Sequence, residues 1–269
     1  MQNTTTHDLL PNVTVFTDQG GRAHQEDRYI VRKLHLPVKN GVGLFMAIMD
    51  GHFGSDVSVL LSEILADTFA DTLVKRKGQV DAALDITFRE MVLRCKGFDQ
   101  GSTLSAVYIP VSESGFYTFA HVANIGDSPV FAIDAAGGLV YTSEHNVSQN
   151  QSDADSIARD NKRMIDDGDL YISDNAISMD VRFLQLTRSV GDNTFDKILI
   201  REPEYKQVPI NKGSMLILAS DGVFVDEDHA QLYRTLLDKS GQGQDASDIG
   251  KWILDQGADD NVTVIVWKP

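Results

Sequence analysis

The order of strand-like and helix-like segments constrains the fold of this 269-residue chain more than any other feature. Short apolar segments with strand character open the chain and two helical patterns follow them. Many strands come next, and two further helices and a last strand close the chain. A doubly wound parallel sheet requires strands and helices to alternate, and here they do not. The order therefore predicts an α+β layered sandwich built on largely antiparallel sheets.

Two helical patterns follow the third strand-like segment. The first begins at Ser55 or Asp56, both of which are suitable N-caps, and stops at Gly78. Its apolar residues recur close to a 3.6-residue period, which predicts an amphipathic helix. The second pattern starts with Asp81 as N-cap and stops near Gly97.

The remaining segments complete the predicted order. A hairpin is expected around Gly137-Gly138, and helices are expected at about 227–239 and 246–256. Residues 148–182 are polar and rich in Asp, so we expect a mobile excursion rather than core, with one short helix near 156–165. Because no repeat or low-complexity linker divides the chain, we expect a single domain.

Composition narrows the classes of partner and compartment. The chain has 24 basic and 39 acidic residues, and a net charge of −15 disfavours nucleic acid and membrane partners. Cys95 is the only cysteine, so no internal disulfide or thiolate metal cluster is expected. The first residues lack a signal sequence, and Gln2 stands where myristoylation needs glycine. We expect a cytosolic, monomeric protein.

Two apolar runs end on the same dipeptide. "FMAIM" leads into Asp50-Gly51, and "LILAS" leads into Asp221-Gly222. Asp-Gly is a common turn pair, so either dipeptide alone indicates an ordinary turn. Its recurrence at the ends of two buried strands raises the alternative that both turns present carboxylates to one site.

Two further acidic pairs flank predicted strands. Glu26-Asp27 precedes "RYIV", and Asp259-Asp260 precedes "NVTVIVW". Carboxylates gathered at the edge of an apolar core repel one another, and cations between them relieve the repulsion. Oxygen ligands without cysteine or paired histidines suit Mg²⁺ or Mn²⁺ in partly hydrated octahedral sites. Two such ions close together are a common device for phosphoryl hydrolysis.

Arg22 and His52 lie where such a site could use them. Arg22 stands four residues before Glu26, and His52 stands two residues after Asp50. A guanidinium group can hold phosphate oxygens, and an imidazole can protonate a leaving oxygen. Taken singly, each has an ordinary alternative, namely a surface charge for Arg22 and a structural role at a turn for His52.

Seven segments, considered together, form an ordered set that runs from Arg22 to Trp267. They read "GRAHQEDRY", "MAIMDGHFGSDVS", "GSTLSAVYI", "AHVANIGDS", "LQLTRSVGD", "LILASDGVFV" and "ADDNVTVIVW". In order and spacing they resemble the motifs of the metal-dependent (type 2C) serine/threonine protein phosphatases, the PPM family. The resemblance implies a central antiparallel β-sandwich flanked by helices on both sides, in four αββα layers, with a two-metal site at one edge.

The same resemblance implies ligands for two Mg²⁺ or Mn²⁺ ions. Asp50 would bridge both ions. Glu26 and the backbone carbonyl of Gly51 would hold one ion, and Asp221 and Asp260 would hold the other. The implied activity is hydrolysis of phosphoserine and phosphothreonine in protein substrates by a hydroxide that bridges the two ions.

The remaining implied roles belong to residues around the metals. Asp27 would orient metal-bound waters, Arg22 would grip the phosphate and His52 would act as general acid. Asp127 would help to hold a third, weaker ion, although it could instead cap its own turn. Asp192 is expected to be structural rather than a ligand.

Several positions depart from the family pattern near the implied third ion. Pro129 stands where the family has Arg, and the pair Glu144-His145 stands where Asp-His is usual. Val225 occupies a position that is often acidic, with Asp226 one step along. These departures concern the third ion and leave the ligands of the two-metal core intact.

Two alternative functions are compatible with the same fold. A pseudophosphatase would bind partners without chemistry, but such proteins typically lose metal carboxylates or the phosphate-binding Arg, and this chain retains them. A metal-dependent phosphatase for small phosphoesters is the other alternative. No cysteine nucleophile is implied, and Cys95 is expected in the core. Residues 148–182 correspond to the family's variable flap, which is expected to contact substrate.

Overall fold

The structure is a computed structural model that describes residues 12–111, 117–225 and 228–269. Its strands are β1 (Val13–Asp18), β2 (Arg28–His35), β3 (Val42–Met49), β4 (Gly51–His52), β5 (Gly101–Ser102), β6 (Leu104–Pro110), β7 (Phe119–Ile125), β8 (Val130–Ile133), β9 (Leu139–Tyr141), β10 (Tyr171–Ile172), β11 (Ile177–Met179), β12 (Arg182–Leu184), β13 (Val190–Gly191), β14 (Glu204–Pro209), β15 (Met215–Ala219) and β16 (Val262–Trp267). Its helices are α1 (Asp56–Lys75), α2 (Val80–Arg94), α3 (Gln151–Asp160), α4 (Lys162–Asp166), α5 (His229–Gly241) and α6 (Ala246–Asp255).

Two five-stranded antiparallel sheets form the centre of the fold. One has the strand order β1-β16-β15-β8-β9, and the other has the order β14-β7-β6-β3-β2. Side chains from the facing surfaces of the two sheets form one buried cluster, to which Met46, Leu218 and Trp267 belong. Helices α1 and α2 cover the outer face of the second sheet, and α5 and α6 cover the outer face of the first. The predicted four-layer α+β sandwich is therefore confirmed.

Strand β3 shows why the sequence before Asp50 is apolar without a break. Met46 and Ile48 point into the cluster between the sheets, whereas Phe45 and Met49 point toward α1 and α2. Successive side chains of a strand alternate between its faces, so a strand with buried layers on both sides needs apolar residues at every position. Such a strand is held from both faces up to its last residue.

The helices follow the predictions with shifts at their ends. The second helix has Gln79 as N-cap, with Asp81 in its first turn, so the prediction of Asp81 as N-cap was wrong. Gly78, with φ +79°, follows the end of α1 as expected. Helix α6 begins at a capping box formed by Asp245 and Asp248, a polar arrangement that satisfies backbone N–H groups at the helix start.

Residues 1–11, 112–116 and 226–227 lie outside the described residues. They include Gln2, Asp226 and the predicted start of the helix at about 227–239. The described part of that helix begins at His229, with Asp228 as N-cap.

Residues 148–182 differ from the expectation. They contain two helices, α3 and α4, and the three-stranded sheet β10-β11-β12. Ala154, Ile157, Leu170 and Ile177 are buried in one cluster with residues on either side of the segment, among them Val147, Leu186 and Phe195. The prediction that this segment contributes no core was wrong, because these apolar residues are spread among Asp-rich stretches and meet only when α3 packs on the hairpin. Hereafter this segment, extended to Leu184 so that it includes all of β12, is called the flap.

Candidate active site

The functional side chains predicted from the sequence lie at the ends of central strands. Asp50 is the first residue after β3. One residue separates Asp127 from the end of β7, Asp221 from the end of β15, and Asp260 from the start of β16. These strand ends meet at one edge of the sandwich, where a cavity of about 430 Å³ opens. The two-sheet architecture thus gathers carboxylates that are far apart in sequence.

Eight of the nine predicted site residues line this cavity. They are Arg22, Glu26, Asp50, Gly51, His52, Asp127, Asp221 and Asp260. The ninth, Asp27, is buried next to the cavity, where its Oδ2 accepts a hydrogen bond of 2.7 Å from Thr263 Oγ1. The structure therefore brings the predicted set together, with Asp27 behind the wall rather than in it.

In the turn after β3, the backbone lies very close to neighbouring segments of the chain. The Asp50 N–H donates to Thr103 Oγ1 at 3.0 Å, and the Thr103 N–H donates to the Asp50 carbonyl at 2.8 Å. A Cβ atom on Gly51 would lie 2.9 Å from the Glu26 carbonyl oxygen and 2.9 Å from Ser58 Oγ. Only glycine fits there without displacing its neighbours, so Gly51 and the Glu26 backbone can lie side by side.

Burial and neighbouring charges raise the pKa values of three carboxylates at the cavity, Asp50, Asp221 and Asp127. Burial, followed by the charges of Asp27, Asp221 and Asp127, raises the pKa of Asp50 well above its usual range. Burial and the Asp260 charge raise the pKa of Asp221, and burial and the Asp221 charge raise the pKa of Asp127. All of these carboxylates can ionise together only if positive charge is brought among them.

Burial also raises the pKa of Asp27, to about 7, and its Oδ1 atom is buried with no hydrogen-bond partner. A buried carboxylate oxygen without a donor is costly, and an ordered water is a common way to satisfy it. Asp27 Oδ1 could therefore accept a hydrogen bond from a water molecule held near the other carboxylates.

The donor set fits hydrated divalent cations rather than a cage of protein ligands. Within the described ranges, no group of three or more His, Cys, Asp or Glu side chains is arranged so that it could hold a metal ion. Mg²⁺ keeps several waters and takes one or two carboxylates from a protein, so it does not need such a group. Asp50 and Asp221 are adjacent, since the Asp221 N–H lies 3.4 Å from Asp50 Oδ2. Their oxygen-only surroundings fit Mg²⁺ or Mn²⁺.

Arg22 lies at the rim of the cavity. Its side chain is 60% exposed, and its Nη2 donates to Asp260 Oδ2 at 2.5 Å. The guanidinium group is therefore close to the carboxylates and open to solvent on its other side. A phosphate that enters the cavity would meet this cation first.

Asn261 is a positioning residue that sequence reasoning missed. Its Oδ1 accepts a hydrogen bond of 2.7 Å from the Glu26 N–H, and its Nδ2 donates to the carbonyls of Gln19 and His24. One side chain thus fixes the loop that carries Arg22 and Glu26 against β16. In the sequence, its only signal is its position directly after the acidic pair Asp259-Asp260.

Asp192, which was expected to be structural rather than a ligand, does not line the cavity and instead supports His52, a partner that the sequence did not indicate. It is buried, with a backbone φ of +54°, and both of its carboxylate oxygens lie 2.9 Å from His52 Nε2. Ser189 Oγ donates a further hydrogen bond to its Oδ2. Asp192 therefore holds the imidazole that faces the cavity.

The surroundings of Asp127 differ from the expected third-ion site. Asn146 Nδ2 donates to Asp127 Oδ2 at 3.1 Å. Glu144 does not line the cavity, since its two oxygens are bonded to the Tyr233 hydroxyl and to His229 Nδ1 at 2.6 and 2.7 Å. Asp127 consequently offers one carboxylate to the cavity without help from Glu144.

Comparisons with known proteins agree with this architecture. Residues 13–262 match the family model described as Protein phosphatase 2C. Protein phosphatase 2C homolog 1 of Saccharomyces cerevisiae is 26% identical over 267 residues, which cover 89% of this chain and 88% of the yeast protein. Probable protein phosphatase 2C 7 of Oryza sativa subsp. japonica is 23% identical over 93% of this chain. The chain spans only 63% of the length of that rice protein and of a second one, Probable protein phosphatase 2C 55.

Solved structures share the fold at low sequence identity. A serine-threonine phosphatase 2C from Toxoplasma gondii aligns with a TM-score of 0.70 at 19% identity, covering 96% of this chain and 94% of that one. A C. elegans sex determining protein aligns with a TM-score of 0.69 at 22% identity, covering 95% of this chain and 64% of that one. No helix in the described ranges is long and apolar enough to cross a bilayer. The family match spans nearly the whole chain, and from it we conclude that the chain belongs to the protein phosphatase 2C family.

Proposed function

We propose that the protein hydrolyses phosphoserine and phosphothreonine in proteins with the help of two Mg²⁺ or Mn²⁺ ions. The observation that carries the proposal is the group formed by Asp50, Asp221 and Asp260, gathered at one cavity beside Arg22 and His52. Burial and neighbouring carboxylates raise the pKa values of Asp50 and Asp221, which calls for cations, and an arginine and a histidine at the same cavity suit a phosphate ester.

The residues that would hold the ions follow from the donor set. Asp50 would be shared by both ions, Glu26 and the Gly51 carbonyl would complete one site, and Asp221 and Asp260 would complete the other. When bound, the ions would neutralise charge on the phosphate and make water a better nucleophile at neutral pH. Asp127 would take part in a third, weaker site.

Arg22 would bind the phosphate. A guanidinium group has five N–H donors, so Arg22 can hold Asp260 through Nη2 and still bind two phosphate oxygens through its other donors. Arg22 also pairs with the Asp260 carboxylate, so the same side chain would bind the phosphate and offset the negative charge of Asp260.

His52 would protonate the departing serine or threonine oxygen. Its Nε2–H is held by Asp192, so the proton available to the leaving group is on Nδ1 of the imidazolium. The buried Asp192 carboxylate stabilises the charged imidazolium and fixes its ring plane. Asp192 is thus a positioning residue that acts through His52.

The test is initial-rate hydrolysis of a phosphothreonine peptide with Mn²⁺, after EDTA treatment, and in an Asp50→Asn variant. We expect EDTA and the substitution each to lower kcat/KM by at least about a hundredfold, since each removes the charge compensation at phosphorus. Asp67→Asn is the matched control, because Asp67 is exposed and paired with Arg32 on the surface. Undiminished activity in EDTA or in Asp50→Asn would contradict the proposal.

The same assay separates the alternative functions. A higher kcat/KM on phosphorylated metabolites than on phosphopeptides would favour a phosphatase for small phosphoesters. A protein that binds no Mn²⁺ and hydrolyses neither class would be a pseudophosphatase. We also propose that residues 1–269 form a single domain and that the protein is cytosolic and monomeric. The flap would contact the substrate.

A further inference from the structure

A second cavity, of about 310 Å³, adjoins the candidate active site. It is lined by Phe53, Asp99, Gln100, Val181, Arg182 and Phe183. Phe53 and Phe183 line the active-site cavity as well, so the two cavities share a wall. A peptide that places its phosphate in the first cavity therefore passes next to the second.

Three large apolar side chains around this cavity are exposed. The exposed fraction is 51% for Phe53, 64% for Phe183 and 97% for Val181. Single apolar residues on a surface are ordinary, but a cluster around one concavity is typical of a binding site. Burying such side chains against an apolar ligand is favourable, and aromatic rings contribute most.

Phe53 has an unusual backbone conformation. Its φ is +60°, a region that bulky residues rarely adopt. The next residue, Gly54, donates its N–H to Glu26 Oε2 at 3.2 Å, and a Cβ there would lie 2.5 Å from the Gln100 side chain. Tight surroundings thus hold a strained residue in place, and such strain is typically found at functional sites.

The ring of Phe53 has a fixed position relative to the general acid. Its centroid lies 5.3 Å from that of His52, with the two planes at 80°. This edge-to-face contact places the exposed ring directly beside the group that would protonate the leaving oxygen. Phe53 is therefore within reach of the residues that flank the reacting phosphoserine or phosphothreonine.

The flap supplies the opposite wall. Arg182, in β12, donates from Nη1 to the Asp99 carbonyl at 3.0 Å, and its Nη2 lies 3.8 Å from Asp99 Oδ2. The two charged residues of the lining thus face each other, and the contact fixes the β11-β12 hairpin that carries Val181 and Phe183. Because Arg182 and Asp99 are paired with each other, the surface left for a ligand is formed mainly by Phe53, Val181 and Phe183.

We propose that Phe53, Val181 and Phe183 form a subsite for a large apolar side chain of the substrate, within two residues of the phosphorylated one. This inference rests on the proposed protein phosphatase function. An extended chain advances by about 3.3 Å per residue, so only near neighbours of the phosphorylated residue can reach a cavity that shares a wall with the active site.

The test compares phosphothreonine peptides that differ only by Leu or Ser at one of the two positions on either side of the phosphothreonine. With Mn²⁺, we expect Leu to raise kcat/KM by about tenfold or more at one position. The Leu/Ser ratio should fall toward one in Phe53→Ala and in Phe183→Ser. Because the readout is a ratio on one enzyme preparation, a general loss of activity in either variant does not affect it.

Phe119→Ala is the matched control. Phe119 is also an exposed phenylalanine, but it lies at the opposite end of β7 from Asp127, and the variant should keep the ratio. A ratio near one at all four positions of the wild type, or a ratio that survives in both test variants, would overturn this inference alone. If the wild type hydrolyses none of the peptides, the proposed function fails and the subsite fails with it.

Discussion

His52 Nε2 lies 2.9 Å from both carboxylate oxygens of the buried Asp192, 140 positions away in the sequence. The pair couples the turn after β3 to the turn after β13. His52 lines the cavity and Asp192 does not, so in the proposed mechanism the imidazole would be the reactive group and the carboxylate its support.

Asp192→Asn should lower kcat on a phosphothreonine peptide by about tenfold or more, because a general acid contributes a factor of at least about a hundred and depends on its charged partner. Asn tolerates the positive φ of position 192, so the backbone should be preserved. KM should change little, because Asp192 does not line the cavity that would bind the substrate.

Asp67→Asn is the control for this variant. Asp67 is exposed and pairs with Arg32 on the surface, away from Asp192 and its partners. An Asp192→Asn enzyme whose kcat falls together with its free energy of unfolding would show that Asp192 acts on folding rather than through His52.

Mn²⁺ should raise the Tm of the wild-type protein. A ligand present at a hundred times its Kd stabilises the folded state by about 2.7 kcal/mol, and the buried carboxylates supply a site that the unfolded chain lacks. Asp50→Asn should lose most of this shift, whereas Asp67→Asn should retain it. The measurement is thermal unfolding with and without Mn²⁺, and equal shifts in the wild type and Asp50→Asn would argue against Asp50 as a ligand.

Gly51→Ala should destabilise the protein and reduce its activity together. The new methyl group would lie 2.9 Å from both the Glu26 carbonyl oxygen and Ser58 Oγ, and overpacking of this kind costs about 1–3 kcal/mol. Gly241→Ala is the control, since a Cβ there meets Met215 Cε at an ordinary 3.5 Å. Denaturant unfolding and the phosphopeptide assay measure the two effects, and a fully stable, fully active Gly51→Ala would contradict the need for close approach.

Asp153→Asn should loosen the flap. Asp153, in α3, receives two hydrogen bonds from Arg188, of 2.7 and 2.8 Å, and both side chains are largely buried. Removing one partner of a buried ion pair costs about 3 kcal/mol, because the other charge is left uncompensated. Limited proteolysis should cut the flap of this variant first, and Asp167→Asn, on an exposed pair, should resist cleavage like the wild type.

The same pair has a defined dependence on pH. Burial alone would raise the pKa of Asp153, but the hydrogen bonds and charge of Arg188 outweigh it and lower the pKa below its usual range. A lowered folded-state pKa gives stability that is present above the unfolded value, near 3.9, and is lost as pH falls through the folded value. The difference in unfolding free energy between the wild type and Asp153→Asn should therefore be constant near neutral pH and shrink below about pH 4.

The parts of the fold that could be predicted are those with a strong local signal. The unbroken apolar run before Asp50 indicates a strand buried on both faces, and the strand order indicates layered antiparallel sheets. The flap core escaped prediction because Ala154, Ile157 and Ile177 are isolated among polar residues and meet only through tertiary contacts.

The same distinction applies to the site. The carboxylates at the strand ends could be predicted, since each follows or precedes a recognisable apolar run. The role of Asn261 and the partner of Asp192 could not, because they depend on hydrogen bonds to segments 235 and 140 positions away. Spacing within a chain carries no information about such partners.

The cluster under the flap has a consequence for how this molecule can diversify. The turn after β3 is anchored by side chains of β3 that are buried on both faces of its sheet, so changes there would disturb the whole sandwich. The flap contributes Phe183 and Leu184 to the wall of the candidate cavity, and it shares its apolar cluster with residues outside it, including Leu186 and Phe195. We expect substitutions at exposed flap positions such as Phe183 to redirect the choice of substrate while the scaffold stays constant, whereas exchange of the whole flap would also require its buried partners to match.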